Sequence, residues 1–158
     1  MNVDVSTDIV INRPPEIVAR YASDPDQVPD WYANIKSVEW QTQRPLTVGS
    51  RIAFVAYFLR RRMAYTYEIT ELSPNRLVMR TSEGPFPMET SYTWERVEEA
   101  RTRMTLRNRG VPTGFSRWVA PFMKMAIRRA NKKDLALLKR RLENTCGEAR
   151  RRDRPHSG

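Results

Sequence analysis

A chain of 158 residues, 40% hydrophobic and 29% charged, is long enough to bury one core and ordinary in composition for a globular domain. A single cysteine, Cys146, excludes an internal disulfide framework, and no window approaches the run of about 18 apolar residues that a membrane helix needs. The net charge of +10 is uneven: residues 117–158 hold 13 Lys and Arg against 4 Asp and Glu, which is +9 of the total.

Residues 3–11 alternate, with Val3, Val5, Thr7, Ile9 and Ile11 against Asp4, Ser6 and Asp8, as in a strand with one wet face. The start, residues 1–8, has neither a basic n-region nor an apolar h-region, so the expectation is no signal peptide and a cytoplasmic location. Arg13-Pro14-Pro15 ends the strand and opens a short helix, because proline at a first helical turn gives up an N–H that would be unpaired anyway. Asp24 caps a second short segment that ends near Pro29-Asp30-Trp31. Trp31 is expected to be buried where helices meet sheet. Six strands follow, at about 35–43, 51–59, 63–72, 77–82, 88–97 and 102–109, separated by turn residues and by no helix. That pattern predicts an antiparallel meander. From Phe115 the period becomes helical: Met123, Ile127, Leu135, Leu138 and Leu142 recur among lysines and arginines, predicting a helix over about 116–143 that stops at Gly147. Residues 147–158 read as a basic, disordered tail behind a domain spanning 1–146.

This order of elements resembles the START-like superfamily, also called the polyketide cyclase/dehydrase and lipid transport or SRPBCC superfamily, over about residues 3–143. The resemblance rests on Ile11-Asn12-Arg13-Pro14-Pro15-Glu16-Ile17-Val18, on Asp24-Pro25 through Trp31-Tyr32, and on Gly84-Pro85-Phe86-Pro87-Met88 through Tyr92-Thr93-Trp94-Glu95, followed by 102–110. The sequence resembles many small bacterial members of that superfamily. The resemblance implies an α+β helix-grip fold: a curved antiparallel sheet of about seven strands, in the order β-α-α-β6-α, wrapped around a long C-terminal helix with an apolar cavity between them.

Strand parity names the inward side chains. If Glu89 and Glu95 face water, then Met88, Thr90, Tyr92 and Trp94 point inward. If Arg103, Arg107 and Arg109 are outside, then Met104, Leu106 and Asn108 are within. Ile52, Phe54, Phe58, Tyr65, Tyr67 and Ile69 complete the wall, and Met123 and Ile127 form a helical lid. Composition alone fits either a solid core or a ligand cavity; the resemblance selects the cavity. The expected ligand-binding set is therefore Phe54, Phe58, Tyr65, Tyr67, Met88, Thr90, Tyr92, Trp94, Leu106, Asn108, Met123 and Ile127.

The one histidine, His156, lies in the tail, so a Ser-His-Asp triad or a histidine-based metal site has no histidine within the domain. Cys146, at the expected helix end, reads as an inert thiol. There is no glycine-rich phosphate loop, and Asp24, Asp26 and Asp30 lack the central Gly and terminal Glu of a calcium loop. No cofactor is expected. Three readings stand. The leading one is binding or carriage of a hydrophobic small molecule such as a lipid, quinone or polyketide. The second is a metal-free polyketide cyclase, aromatase or dehydratase using Tyr65, Tyr67 or Tyr92, with Glu68 or Arg80 if parity is wrong. The third is a basic C-terminal face that engages RNA, ribosome or anionic membrane. The tail arginines lack interleaved aromatics, so we read that face as solvated.

Overall fold

The computed structural model describes residues 3–58, 60–111 and 120–152. Seven strands form one antiparallel sheet in the order β1-β7-β6-β5-β4-β3-β2. They are β1 Val3–Ile11, β2 Ile35–Trp40, β3 Arg51–Phe58, β4 Arg61–Ser73, β5 Arg76–Glu83, β6 Met88–Glu98 and β7 Arg101–Gly110. The meander expected from the sequence is present, and β1 closes it by pairing with β7 from Val3 opposite Gly110 to Ile11 opposite Thr102. Register shifts at 35/37, 66/67, 69/71 and 96/98 mark bulges, which bend strands and raise their twist, so the sheet curls. Gly49, at φ +93, sits where an L side chain would be strained; its N–H bonds Ile69 O at 2.8 Å and so fixes the turn into β3.

Helix α1 runs Pro15–Ser23 with proline in its first turn, and Glu16 there pairs with Arg96 on β6. Asp24 then caps a 3-10 turn at Pro25–Gln27, its Oδ1 accepting the Asp26 N–H at 3.0 Å. Asp26 bonds Arg44 and Trp40 side chains. These carboxylates therefore serve as cap and cross-link. Helix α2, Val28–Trp31, ends in the turn that opens β2.

The long helix α3 spans Ala120–Arg152, about 50 Å at 1.5 Å per residue. It differs from the expectation at its end, for it passes through Gly147 instead of stopping there. Glycine mid-helix costs only about 1 kcal/mol, and Glu148-Ala149-Arg150 are good helix formers. Cys146 consequently lies inside the helix and not in its last turn. The expectations for Leu59, for the helix start at Phe115 and Ser116, and for Arg154, Pro155 and His156 lie outside the described residues.

The core fills the concave side of the sheet. Ile52, Leu77, Met104 and Leu106 from the strands meet Leu135, Leu138 and Leu142 of α3, with Trp31 at the join. The convex side carries an ion-pair ladder: Arg107 to Asp4 at 2.6 Å, Arg103 to Asp8 at 3.6 Å and Arg80 to Glu89 at 2.7 Å. The arginines of β7 thus face outward as parity requires. Trp31 is wholly buried, its ring 5.7 Å from Tyr92 in an edge contact. Trp31→Ala should lower the free energy of unfolding by about 3–5 kcal/mol, measured by urea denaturation.

Candidate functional site

Between the sheet and α3 lies a cavity of about 120 Å³. Its wall is mostly apolar: Ala56, Phe58, Met63, Tyr65 and Met88 come from the sheet, and Met123, Ile127 and Ala130 from α3. The α3 spacing 123, 127, 130, 131 is one helical face. Val3, Glu89, Arg109 and Gly110 also border a shallow outer depression, so the mouth is there. Glu89 is less solvated than parity implies, its side chain only 19% exposed beside Arg80. A smaller inner space of about 30 Å³ adjoins the first, and Tyr32, Tyr65, Tyr67 and Thr90 border both.

The structure sorts the expected site residues into three groups. Phe58, Tyr65, Tyr67, Met88, Thr90, Asn108, Met123 and Ile127 line the larger cavity. Phe54 and Tyr92 line only the inner space. Trp94 and Leu106 border neither; they are buried in the core, where Trp94 stands opposite Met104 and contacts Tyr92. Parity chose the correct face for all of them, but cannot tell how far along a curled strand the cavity reaches. Glu68 and Arg80 are exposed and border the larger cavity nowhere.

A polar chain crosses this apolar wall. Thr90 and Asn108 are direct cross-strand partners on β6 and β7, which places Thr90 Oγ1 2.9 Å from Asn108 Oδ1. Tyr67, two strands away, reaches Thr90 Oγ1 at 2.9 Å. Because Thr90 gives its one proton to Asn108, the Tyr67 hydroxyl must be the donor to Thr90. On the α3 side, Tyr32 Oη lies 3.5 Å from Asn131 Oδ1. Burial pushes the Tyr67 phenol up to about 12, and pushes Tyr32, Tyr65 and Tyr92 well above the ordinary value. All four phenols are therefore protonated near neutrality, and two of them donate: Tyr67 to Thr90 and Tyr32 to Asn131.

Tyr32, Asn131 and Asp134 were not singled out from sequence. Asp134 is 2% exposed, and its Oδ1 accepts the Ala33 N–H at 3.1 Å, tying α3 to the turn after α2. Burial raises its carboxyl to about 6, against the Ala33 hydrogen bond and the charge of Lys133. Among the described residues, no group of three or more His, Cys, Asp or Glu is placed to hold a metal, and no helix is long and apolar enough to cross a membrane.

Residues 2–143 match the family of polyketide cyclase / dehydrase and lipid transport proteins. The chain belongs to that family. Its helix-grip fold recurs in solved structures. A START superfamily protein from Mycobacterium smegmatis has a TM-score of 0.78 at 14% identity, over 90% of this chain and 98% of that one. A Thermus thermophilus protein has 0.77 at 20%, again over 90% and 98%. The Zhui aromatase/cyclase of a Streptomyces species has 0.74 at 16%, over 100% and 99%. No curated protein matches the chain. In this member of the polyketide cyclase / dehydrase family the cavity occupies the space between helix and half-barrel, and the buried Asp134 carboxyl stands behind it.

The pH consequence of Asp134 has a definite sign. The unfolded chain releases this proton near 3.9 and the folded chain near about 6, so the folded state holds it more tightly and stability falls as pH rises between them. Asp134→Asn keeps an oxygen for the Ala33 N–H and removes that slope. Its unfolding free energy relative to the parent should rise by about 1–3 kcal/mol between pH 4 and pH 7, read by urea denaturation across that range.

Proposed function

We propose that this protein binds a small hydrophobic molecule in the cavity between sheet and α3. The observation that carries the reading is the cavity itself: enclosed by methionines, an isoleucine and aromatic rings, yet crossed by an ordered row of hydrogen-bonding groups. An apolar enclosure with a few fixed polar atoms is the usual form of a small-molecule site. A volume of about 120 Å³ suits one aromatic ring, with any larger part of the ligand extending through the mouth.

Cyclase chemistry would need a base to take a proton from carbon. The phenols here are held protonated, Asp134 lies outside the cavity wall, and Glu89 at the mouth is paired with Arg80. That distribution supports binding over proton abstraction. Native mass spectrometry of the purified protein should show a co-purifying hydrophobic ligand. Ala130→Leu, which adds side-chain volume into the cavity, should weaken binding of a hydrophobic fluorescent probe at least tenfold with melting temperature unchanged or higher. A variant that binds as the parent does would overturn the site.

A second reading concerns the outward side of α3, and one observation favours it. Phe122 and Met125 are 72% and 67% exposed, and with Arg129 they share the face opposite Met123 and Ile127. Lys124, Arg128, Arg129, Lys132 and Lys133 surround them, and none makes a salt bridge among the described residues. Apolar side chains set in a cationic field fit an anionic bilayer surface better than they fit RNA. Vesicles containing phosphatidylserine should sediment the protein, neutral vesicles should not, and the Phe122→Glu, Met125→Glu double variant should remain in solution.

A further inference from the structure

Two short runs of hydrogen bonds border the cavity. On the sheet, Tyr67 donates to Thr90 and Thr90 to Asn108 Oδ1. Against α3, Tyr32 Oη donates to Asn131 Oδ1 at 3.5 Å, the outer limit of such a bond. The Asn131 carboxamide thus has its oxygen engaged, while its Nδ2 has no partner. Asn131 is only 1% exposed, and it lines the cavity. A buried amide N–H without a partner is costly, and structures keep few of them without a reason.

We propose that Asn131 Nδ2 is the polar anchor of the cavity, and that the ligand is a ring-sized apolar molecule bearing a carbonyl oxygen that accepts from it. This rests on the reading of the cavity as a ligand site. The unpartnered donor fixes the chemical class. A ligand that presents an acceptor satisfies it, whereas a ligand that presents only C–H groups leaves Nδ2 unpaired and sealed from water. Tyr32 is a positioning residue: by donating to Oδ1 it keeps the carboxamide turned with its nitrogen free. The 3.5 Å length of that link makes it a loose one, so a carbonyl can draw Asn131 toward itself without breaking a strong bond.

The test compares two probes of one shape, acetophenone and α-methylstyrene, which differ by C=O against C=CH₂. Their dissociation constants would be measured by calorimetry for the parent, for Asn131→Leu and for Tyr32→Phe. The parent's preference for acetophenone relative to α-methylstyrene should fall about three- to tenfold in N131L, the scale of one net hydrogen bond, and by less in Y32F. In the parent, acetophenone should also move the Asn131 side-chain NH₂ proton resonances downfield while α-methylstyrene leaves them in place, a readout that survives if a variant fails to fold. Equal binding of both probes to the parent, an unmoved Asn131 resonance, or a preference that persists in N131L would overturn the anchor and leave the cavity as a site. Failure of both probes to bind the parent would overturn the cavity reading and the anchor with it.

Discussion

The cavity exists because α3 is fastened to backbone atoms at the edges of the concave face. Lys139 Nζ donates to Val10 O at 2.9 Å and to Glu143 Oε1 at 2.6 Å, and that same Glu143 oxygen accepts the Asn12 N–H at 2.9 Å. Nearer the cavity, Asp134 takes the Ala33 N–H. Two points of the helix are thus tied to opposite margins of the fold, one at the end of β1 and one after α2. Leu135, Leu138 and Leu142 fill the space between helix and sheet on one side of Asp134, while Asn131, Ala130 and Ile127 border open volume on the other. The helix is held as a beam, and the cavity is the part of its span under which side chains do not meet.

That arrangement explains why the phenols of the site stay protonated. Removing water from around a phenol disfavours its anion, and each tyrosine of the inner wall is surrounded by other rings: Tyr65 lies 5.1 Å from Tyr67, and Phe54 lies 6.0 Å from Tyr67. The same burial that makes the wall apolar keeps its hydroxyls protonated. Asp134 feels it with opposite consequence for charge, since its carboxyl is pushed toward neutrality while still bound to Ala33.

Much of the fold was legible because the period-two pattern is strict where it matters. Met104, Leu106 and Asn108 alternate with Arg103, Arg107 and Arg109 on β7, and no other register puts the arginines in water. Pro14-Pro15 and Asp24-Pro25 announced the two short helices. The site was read less completely. Trp94 and Leu106 were expected in the wall and lie in solid core, because parity gives a face and no depth along it. Asn131 and Asp134 went unnoticed as polar residues on a charged helix, although a signal was there. Positions 131, 134, 135, 138 and 142 follow helical spacing, so an asparagine and an aspartate occupied places on the buried stripe. Tyr32 was quoted for the fold and not for the site, since its hydroxyl meets Asn131 only through a contact between residues 99 positions apart. The stop expected at Gly147 failed because one glycine weighs little against neighbouring helix formers.

The partition between the two spaces is made of rings that are not equally fixed. Tyr67 is pinned by its bond to Thr90, whereas Tyr65, which borders both spaces beside it, makes no hydrogen bond among the described residues. A turn of the Tyr65 side chain therefore breaks no polar contact and costs only ring contacts with Phe54 and Tyr67. Of these two rings on the shared border, Tyr65 is the one held by packing alone.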